Sequence, residues 1–458
     1  MIKPIALSRL TERLPESLGP RLVNGDTEFT KVSTDTRTLE PGALFIALRG
    51  ENFDGNTFVQ RAVQAGACAV VVEKECPDIN VPQLIVYDTL AALGHLGALN
   101  RDAFTGPVIA ITGSTGKTTV KTMVAEILKQ MGPTLATRGN LNNHIGVPLT
   151  LLELESQHRY AVIEVGASAL GEVAYLCSLA KPDVALVNNV MPAHISGFGS
   201  LENIAKAKGE VYRSLGPNGT AVINFDDVFA PRWRVETADR NIIGVSLYEP
   251  AAQCRAEAIE QGDDEINFQL VAPAGKVAIQ LRGAGQHTVC NALTAAACAL
   301  AVGASLTHIQ NGLRAFAPIA GRQSRARGYA GALIIDDSYN ANPGSVRAAI
   351  DVLARYDEGQ ILVLGDMGEL GDEAEALHRE MGRYAAESGI KSLFTLGPFS
   401  AWTAQEFGAG AHHYETHDAL ISALKETVGK TSKVLIKGSR SARMDLVVRG
   451  LSESGEQK

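Results

Sequence analysis

The sequence predicts an α/β protein of three units, with a mainly parallel central sheet covered by helices on both faces. Three observations point there. Between residues 106 and 316, short Val- and Ile-rich runs alternate with helically spaced segments. Residues 332–438 repeat that alternation, with Gly after three of the strands. Residues 1 to about 100 carry strands and turns of their own, enough for a separate domain.

In the first unit, Ala43–Leu48, Ala67–Glu73 and Gln83–Val86 read as strands, and Thr57–Ala65 as a helix ended by Gly66. Asp88 or Thr89 caps a helix running to Asn100. In the second, Val108–Ile111, Tyr160–Gly166, Val184–Val190, Thr220–Phe225 and Ile242–Leu247 are buried strands. Residues 254–283 alternate polar with apolar and suggest short antiparallel strands, and helices resume at 287–302 and 305–316. Pro318–Gly328 reads as a linker. Ala332–Ile335, Gln360–Gly365, Ser392–Gly397 and Lys433–Gly438 are the third unit's strands.

The chemistry centres on Thr112-Gly-Ser-Thr-Gly-Lys-Thr-Thr119, between the strand Val108–Ile111 and a run with helical spacing from Val120 to Met131. Strand, glycine loop, Lys-Thr and helix form a phosphate cradle: backbone N–H groups and the helix N-terminus meet the anion. Lys117 supplies a point charge and Thr118 a Mg²⁺ ligand. The common eight-residue loop would start with Gly at 111, where Ile stands, so this is a shorter form, Gly113-x-x-Gly116-Lys117.

Other residues leave two readings open. Glu164 lies inside an apolar strand and is either a Mg²⁺ ligand beside Thr118 or half of a structural ion pair. His194 follows a strand and is either a ligand or a surface residue. Glu202–Tyr212 reads as an exposed helix with a Glu202–Lys206 pair, and nothing in it singles out Lys208. Gly139-Asn-Leu-Asn-Asn143 is either a turn or an amide surface for a polar ligand. Asp336-Asp337 at a strand end suits a ribose, or begins the turn before a helix at Ser345. Lys437-Gly-Ser-Arg440 is a basic hook for a carboxylate or phosphate.

These stretches, with Ile163-Glu-Val-Gly-Ala-Ser168, Ala193-His-Ile-Ser-Gly-Phe-Gly-Ser200, Ala205-Lys-Ala-Lys-Gly-Glu210 and Asn291-Ala-Leu, resemble the Mur ligases, ATP-dependent amide-forming enzymes of peptidoglycan assembly. Ser33-Thr-Asp-Thr-Arg37, the 139–143 loop, Asp337-Ser-Tyr-Asn-Ala-Asn-Pro343, Leu364–Gly371 and Lys437–Ser441 are most similar to the members that add D-alanyl-D-alanine to UDP-N-acetylmuramoyl-tripeptide. The resemblance implies a UDP-substrate domain (1–100), a central ATPase domain (101–316) and a Rossmann-like C-terminal domain (317–458) that binds the dipeptide and closes over ATP.

By the same resemblance, Gly113, Ser114, Thr115, Gly116, Lys117, Thr118, Thr119, Asn291, Arg322 and Asp337 contact ATP. Ser33, Arg37, Asp54 and Gly55 form the uridine-diphosphate side. Asn140, Asn143, Ser168, Asn340 and Lys437 touch the groups to be joined. Lys208 falls where the family carries a carbamoylated lysine, formed with CO₂. With Thr118, Glu164 and His194 it would hold two Mg²⁺ ions. The sequence departs from the family at Thr288, where Asn is common, and at Ile195-Ser196.

A net charge of −8 argues against nucleic-acid partners, and no apolar run reaches about 18 residues, so no membrane span is expected. The N-terminus has no signal-like apolar region, and the six cysteines form no CxxC. They read as buried hydrophobes in a reducing compartment, and the expectation is a cytoplasmic, monomeric enzyme. The alternatives are another Mur-type or folylpolyglutamate-type ligase, and a nucleotide-binding switch that joins nothing.

Overall fold

The computed structural model describes residues 1–50, 53–192, 195–262 and 264–452. Three sheets follow one another along the chain. The first has the order Arg21–Val23, Gln83–Ile85, Ala69–Val72, Leu44–Ile46, Val32–Ser33, with only the first pairing antiparallel. A two-stranded pairing of Ile5–Ala6 with Glu28–Phe29 and a helix, Leu7–Arg13, stand beside it. The predicted helix from Thr57 is a 3₁₀ turn, Gly55–Phe58, leading into a short α-helix, Val59–Gln64. The side chain of Asp54 caps that turn by accepting from the Asn56 N–H.

The central sheet has nine strands. From one edge these are Gly275–Arg282, Glu265–Ala272, Cys254–Gln261, Asn241–Ser246, Thr220–Asn224, Val184–Val187, Val108–Thr112, Tyr160–Glu164 and Thr134–Ala136. The seven from Cys254–Gln261 to Thr134–Ala136 pair in parallel, and the two pairings beyond Cys254–Gln261 are antiparallel. The 254–283 segment therefore extends the central sheet. One face packs on the helices Lys117–Lys129, Gln286–Ala301 and Leu306–Ala315. The other packs on Glu172–Ala180, Leu201–Arg213 and Ala230–Glu236.

The third sheet has the order Ser324–Arg327, Leu333–Asp337, Lys433–Lys437, Gln360–Gly365, Ser392–Leu396, Ala411–Tyr414. Its five later strands are parallel, and Ser324–Arg327 is an antiparallel edge. That edge corrects the reading of 318–328 as linker throughout. A second correction concerns the cysteines: Cys177, Cys254 and Cys298 are buried, but Cys68, Cys76 and Cys290 are only half-buried. No helix among the described residues is long and apolar enough to cross a membrane.

The helix Thr89–Asp102 joins the first two units. Asp88 caps it through the N–H groups of Leu90 and Ala91. Leu93 and Leu96 pack in the first core, and Ala98 in the central one. Near its end, buried Asn100 donates to the carbonyls of Leu151 (2.8 Å) and Leu154 (3.1 Å) and accepts from Ile2 N–H (3.0 Å). Replacing it takes the donor from the Leu154 carbonyl, while the Leu151 carbonyl keeps the N–H of Leu154. Asn100→Ala is expected to cost about 2 kcal/mol, read as a lower midpoint of urea unfolding.

Candidate active site

The C-terminal ends of the parallel strands in the second and third sheets face each other across a cavity of about 600 Å³. Crevices at strand C-termini are where open α/β sheets bind ligands. One wall is the phosphate loop and the helix Lys117–Lys129 behind it. Gly116 precedes the helix in left-handed conformation (φ +76°), and a Cβ there would lie 2.6 Å from Nδ2 of Asn188. The first-turn amides of that helix have no acceptor within it, so they are free for an anion. Lys117 donates to its own loop, at the Gly113 carbonyl, 2.8 Å away. Burial pushes its ammonium below the usual lysine range, and Glu164 opposes that shift.

The loop is stapled from beneath by residues that sequence reasoning missed. Asn188 donates to the Thr115 carbonyl (3.0 Å) and to Oδ1 of Asn291 (2.9 Å). Asn189 accepts from the Thr115 N–H (2.9 Å), and its carbonyl accepts from Ser114 N–H (2.9 Å). The available signal was an Asn pair directly after an apolar strand, at a sheet's C-terminal edge.

Glu164 ends the strand next to the loop's own. It is 2% exposed; Oε1 accepts from Asn142 Nδ2 at 2.8 Å, while Oε2 is buried without a hydrogen-bond partner. An unpartnered carboxylate oxygen beside two lysines and a phosphate loop is a socket for a cation. No group of three His, Cys, Asp or Glu able to hold a metal occurs among the described residues. One carboxylate is nonetheless enough for Mg²⁺, which takes its other ligands from phosphate and water. Buried Thr118 also lines the cavity.

Ser114, Thr115, Gly116, Lys117, Thr118, Thr119, Asn291, Arg322 and Asp337 all line this cavity; Gly113 does not, its carbonyl being held by Lys117. Asn140, Asn143, Ser168, Asn340 and Lys437 line it too. Several are already engaged. Asn143 accepts from Gly146 N–H and starts a helix there, and Ser168 N–H donates to Glu172. The basic hook is occupied. Lys437 is buried and donates to Asp337 Oδ2 at 2.6 Å and to the Asn340 carbonyl at 2.9 Å. Burial pushes the Asp337 carboxyl up and Lys437 pulls it back. The neighbouring turn belongs to other residues: Asp336 bonds Ser338, and Asn342 caps the helix from Pro343. Arg322 stacks on Tyr339 at 4.1 Å. Thr288 donates its hydroxyl proton to Ala284 O.

The first unit's residues do not reach this cavity. Ser33 lines a second one, of about 1010 Å³, between the first and central units. Arg37 is exposed and grips Asp35 with two donors, holding that carboxyl at about 2. The Oδ1 of Asp54 accepts from Asn56, and Gly55 N–H donates to Leu48 O. His194 lies outside the described residues. The helix Leu201–Arg213 is not the exposed one expected: Lys208 and Glu210 are buried, and Glu202 pairs with Arg232 rather than Lys206. Glu210 accepts from Gly171 and Ala174 N–H, capping the facing helix. Lys208 is not a cavity wall. It has no hydrogen bond or ion pair among the described residues, and its ammonium lies 5.9 Å from the Phe198 ring. Burial, and then Lys117, push it well below the usual lysine range.

Fold and site together define a nucleotide-dependent α/β enzyme whose cavity is shared between two units. The family models "Mur ligase family, catalytic domain", "Mur ligase middle domain" and "Mur ligase, glutamate ligase domain" match residues 28–101, 111–299 and 321–440. The chain belongs to the Mur ligase family. It is 43% identical to the UDP-N-acetylmuramoyl-tripeptide--D-alanyl-D-alanine ligase of Escherichia coli K12, over 98% of this chain and 99% of that one. A crystal structure of MurF from Acinetobacter baumannii superposes with TM-score 0.91 at 37% identity, over 98% of both chains. MurF from Thermotoga maritima in complex with ADP gives TM-score 0.83 at 26% identity, over 92% of this chain and 96% of that one.

A left-handed backbone costs an L-residue about 1–2 kcal/mol, and at Gly116 the clash with Asn188 adds to it. Gly116→Ala is expected to weaken nucleotide binding more than about tenfold in equilibrium titration. Gly139→Ala is the control: equally left-handed (φ +53°), with nothing within 4 Å, it should stay within about twofold.

Proposed function

We propose that the chain joins D-alanyl-D-alanine to UDP-N-acetylmuramoyl-tripeptide at the expense of ATP, by way of an acyl phosphate. The observation that carries this reading is the cavity itself. An anion cradle, a cation socket and the third unit's strand ends converge on one space large enough for a nucleotide and a reacting carboxyl group.

A carboxylate is a poor electrophile. Its oxygen attacks the γ-phosphorus, the bond to the β-phosphate oxygen breaks, and ADP leaves. The dipeptide's neutral amine then attacks the acyl carbon, a tetrahedral adduct forms, and phosphate departs as the amine gives up its proton. Catalysis is mostly positioning and charge neutralisation. Lys117 leaves the Gly113 carbonyl for the phosphates, and the first-turn amides hold them. Glu164 and Thr118 would hold Mg²⁺, whose charge would neutralise the phosphates. Asn291 and Arg322 contact ATP, and Asp337, fixed by Lys437, holds its ribose. Asn140, Asn143, Ser168 and Asn340 face the groups being joined.

Residues 1–100 anchor the uridine diphosphate through Ser33, Arg37, Asp54 and Gly55. The second cavity supports that route, because it runs from Ser33 to Lys121 on the phosphate-loop helix. Residues 101–316 hold ATP, and 317–458 bring the dipeptide and exclude water from the acyl phosphate. In this reading the chain acts as a monomer. Lys208, buried and without a hydrogen bond or ion pair among the described residues, would add CO₂ at its amine. As a carbamate it would, with His194, hold a second Mg²⁺.

Phosphate release is expected with ATP, Mg²⁺ and the UDP-tripeptide only when D-Ala-D-Ala is present; release independent of the dipeptide would sink the ligase reading. Lys208→Ala is expected to lower kcat at least about 100-fold, with partial recovery in millimolar short-chain carboxylate. Unchanged kcat would remove Lys208 from the mechanism.

A further inference from the structure

The phosphate-loop helix carries a second buried lysine that the mechanism above does not use. Lys121 lies one turn beyond Lys117 on the same face, is 6% exposed, and donates to the Thr137 carbonyl at 2.7 Å. Thr137 is buried as well, and it ties down the strand that ends in Glu164. Its N–H donates to Val162 O at 3.0 Å, and its Oγ1 accepts the N–H of Glu164 at 2.9 Å. The edge strand Thr134–Ala136 stops pairing at Ala136, opposite Val162. Thr137 is therefore the tie that holds the last residue of the carboxylate's strand on that side. On the other side Asn142 holds Oε1, and Oε2 is left unpartnered.

We propose that Lys121 is a positioning residue: by pinning Thr137 it aims Oε2 of Glu164 at the metal that accompanies the nucleotide. This rests on the reading of Glu164 as a metal ligand. Lys117 cannot take the role, because its ammonium is the one given to phosphate. Lys121 is bound to the Thr137 carbonyl, and it lines the second cavity rather than the first. Packing alone does not account for the residue, since burying an ammonium is costly and a methionine would fill the space without that cost. Glu164 favours the charged form of Lys117 and of Lys121, while burial and Arg322, from the third unit, oppose it.

The test is equilibrium binding of a non-hydrolysable ATP analogue, in EDTA and in saturating Mg²⁺. For Lys121→Met, affinity in EDTA should stay within about twofold of wild type, which also reports a folded site. The gain in affinity on adding Mg²⁺ should shrink about tenfold. Lys121→Arg, which keeps the donor, should retain most of the gain. Thr137→Val should lose it as Lys121→Met does, and the double variant should be no worse than the worse single one. If the lysine acted only as a nearby positive charge, its removal would enlarge the Mg²⁺ gain. An enlarged or unchanged gain overturns the proposal, and so does an equal loss in EDTA and Mg²⁺. Glu164→Gln separates the two levels. If it keeps the Mg²⁺ gain, the metal reading fails; if it loses the gain while Lys121→Met keeps it, only the role of Lys121 fails.

Discussion

A carboxylate buried at the end of a β-strand, with one oxygen left unpaired, is the constraint on which the site depends. Leaving a buried charge half-satisfied is unfavourable unless something else completes it. Around Glu164 the completion is built from several directions: Asn142 on Oε1, two lysines one helical turn apart, and the cavity that the residue lines. The sheet order makes this possible. The strand Tyr160–Glu164 pairs directly with Val108–Thr112, so its last residue emerges beside the glycine loop.

The second constraint is that no single unit holds all the chemistry. The central unit supplies the cradle and the carboxylate, while Asp337, Asn340 and Lys437 reach the cavity from the third sheet. Contacts join the two units: His287 meets Gln323 at 3.1 Å on the cavity wall, and Ser196 N–H donates to Glu369 O. A reactive acyl phosphate needs such a shared, closable space, since water would hydrolyse it. The first unit is joined differently, by two helices, Thr89–Asp102 and Gly146–Leu152, that pack into both cores.

Much of this was legible in the sequence, because long apolar runs and glycine turns dictate strands and loops with little help from tertiary contacts. The phosphate loop, its flanking strand and helix, and Glu164 stand where the pattern put them. Two-residue strands such as Ile5–Ala6 are too short to carry a period. The edge strand Ser324–Arg327 is polar and reads as linker, and Ala411–Tyr414 is not among the expected strands. Burial was hidden in the same way. Leu201–Arg213 looks solvated because Lys208 and Glu210 are charged, yet both are folded inward against neighbours distant in sequence. The pairing of Lys437 with Asp337 spans 100 residues, so no local pattern could announce it. Residues with an evident local partner, such as Arg37 with Asp35, gave the opposite difficulty: their geometry alone does not point to a ligand.

The central claim is that the substrate carboxylate is phosphorylated before the amide forms. The most direct measurement is isotope transfer from UDP-N-acetylmuramoyl-tripeptide carrying ¹⁸O in the reacting carboxyl group. The account predicts that each turnover with ATP and D-Ala-D-Ala delivers one carboxyl ¹⁸O into the released inorganic phosphate, seen by mass spectrometry or ³¹P NMR. Phosphate free of ¹⁸O, with amide product still formed, would contradict it.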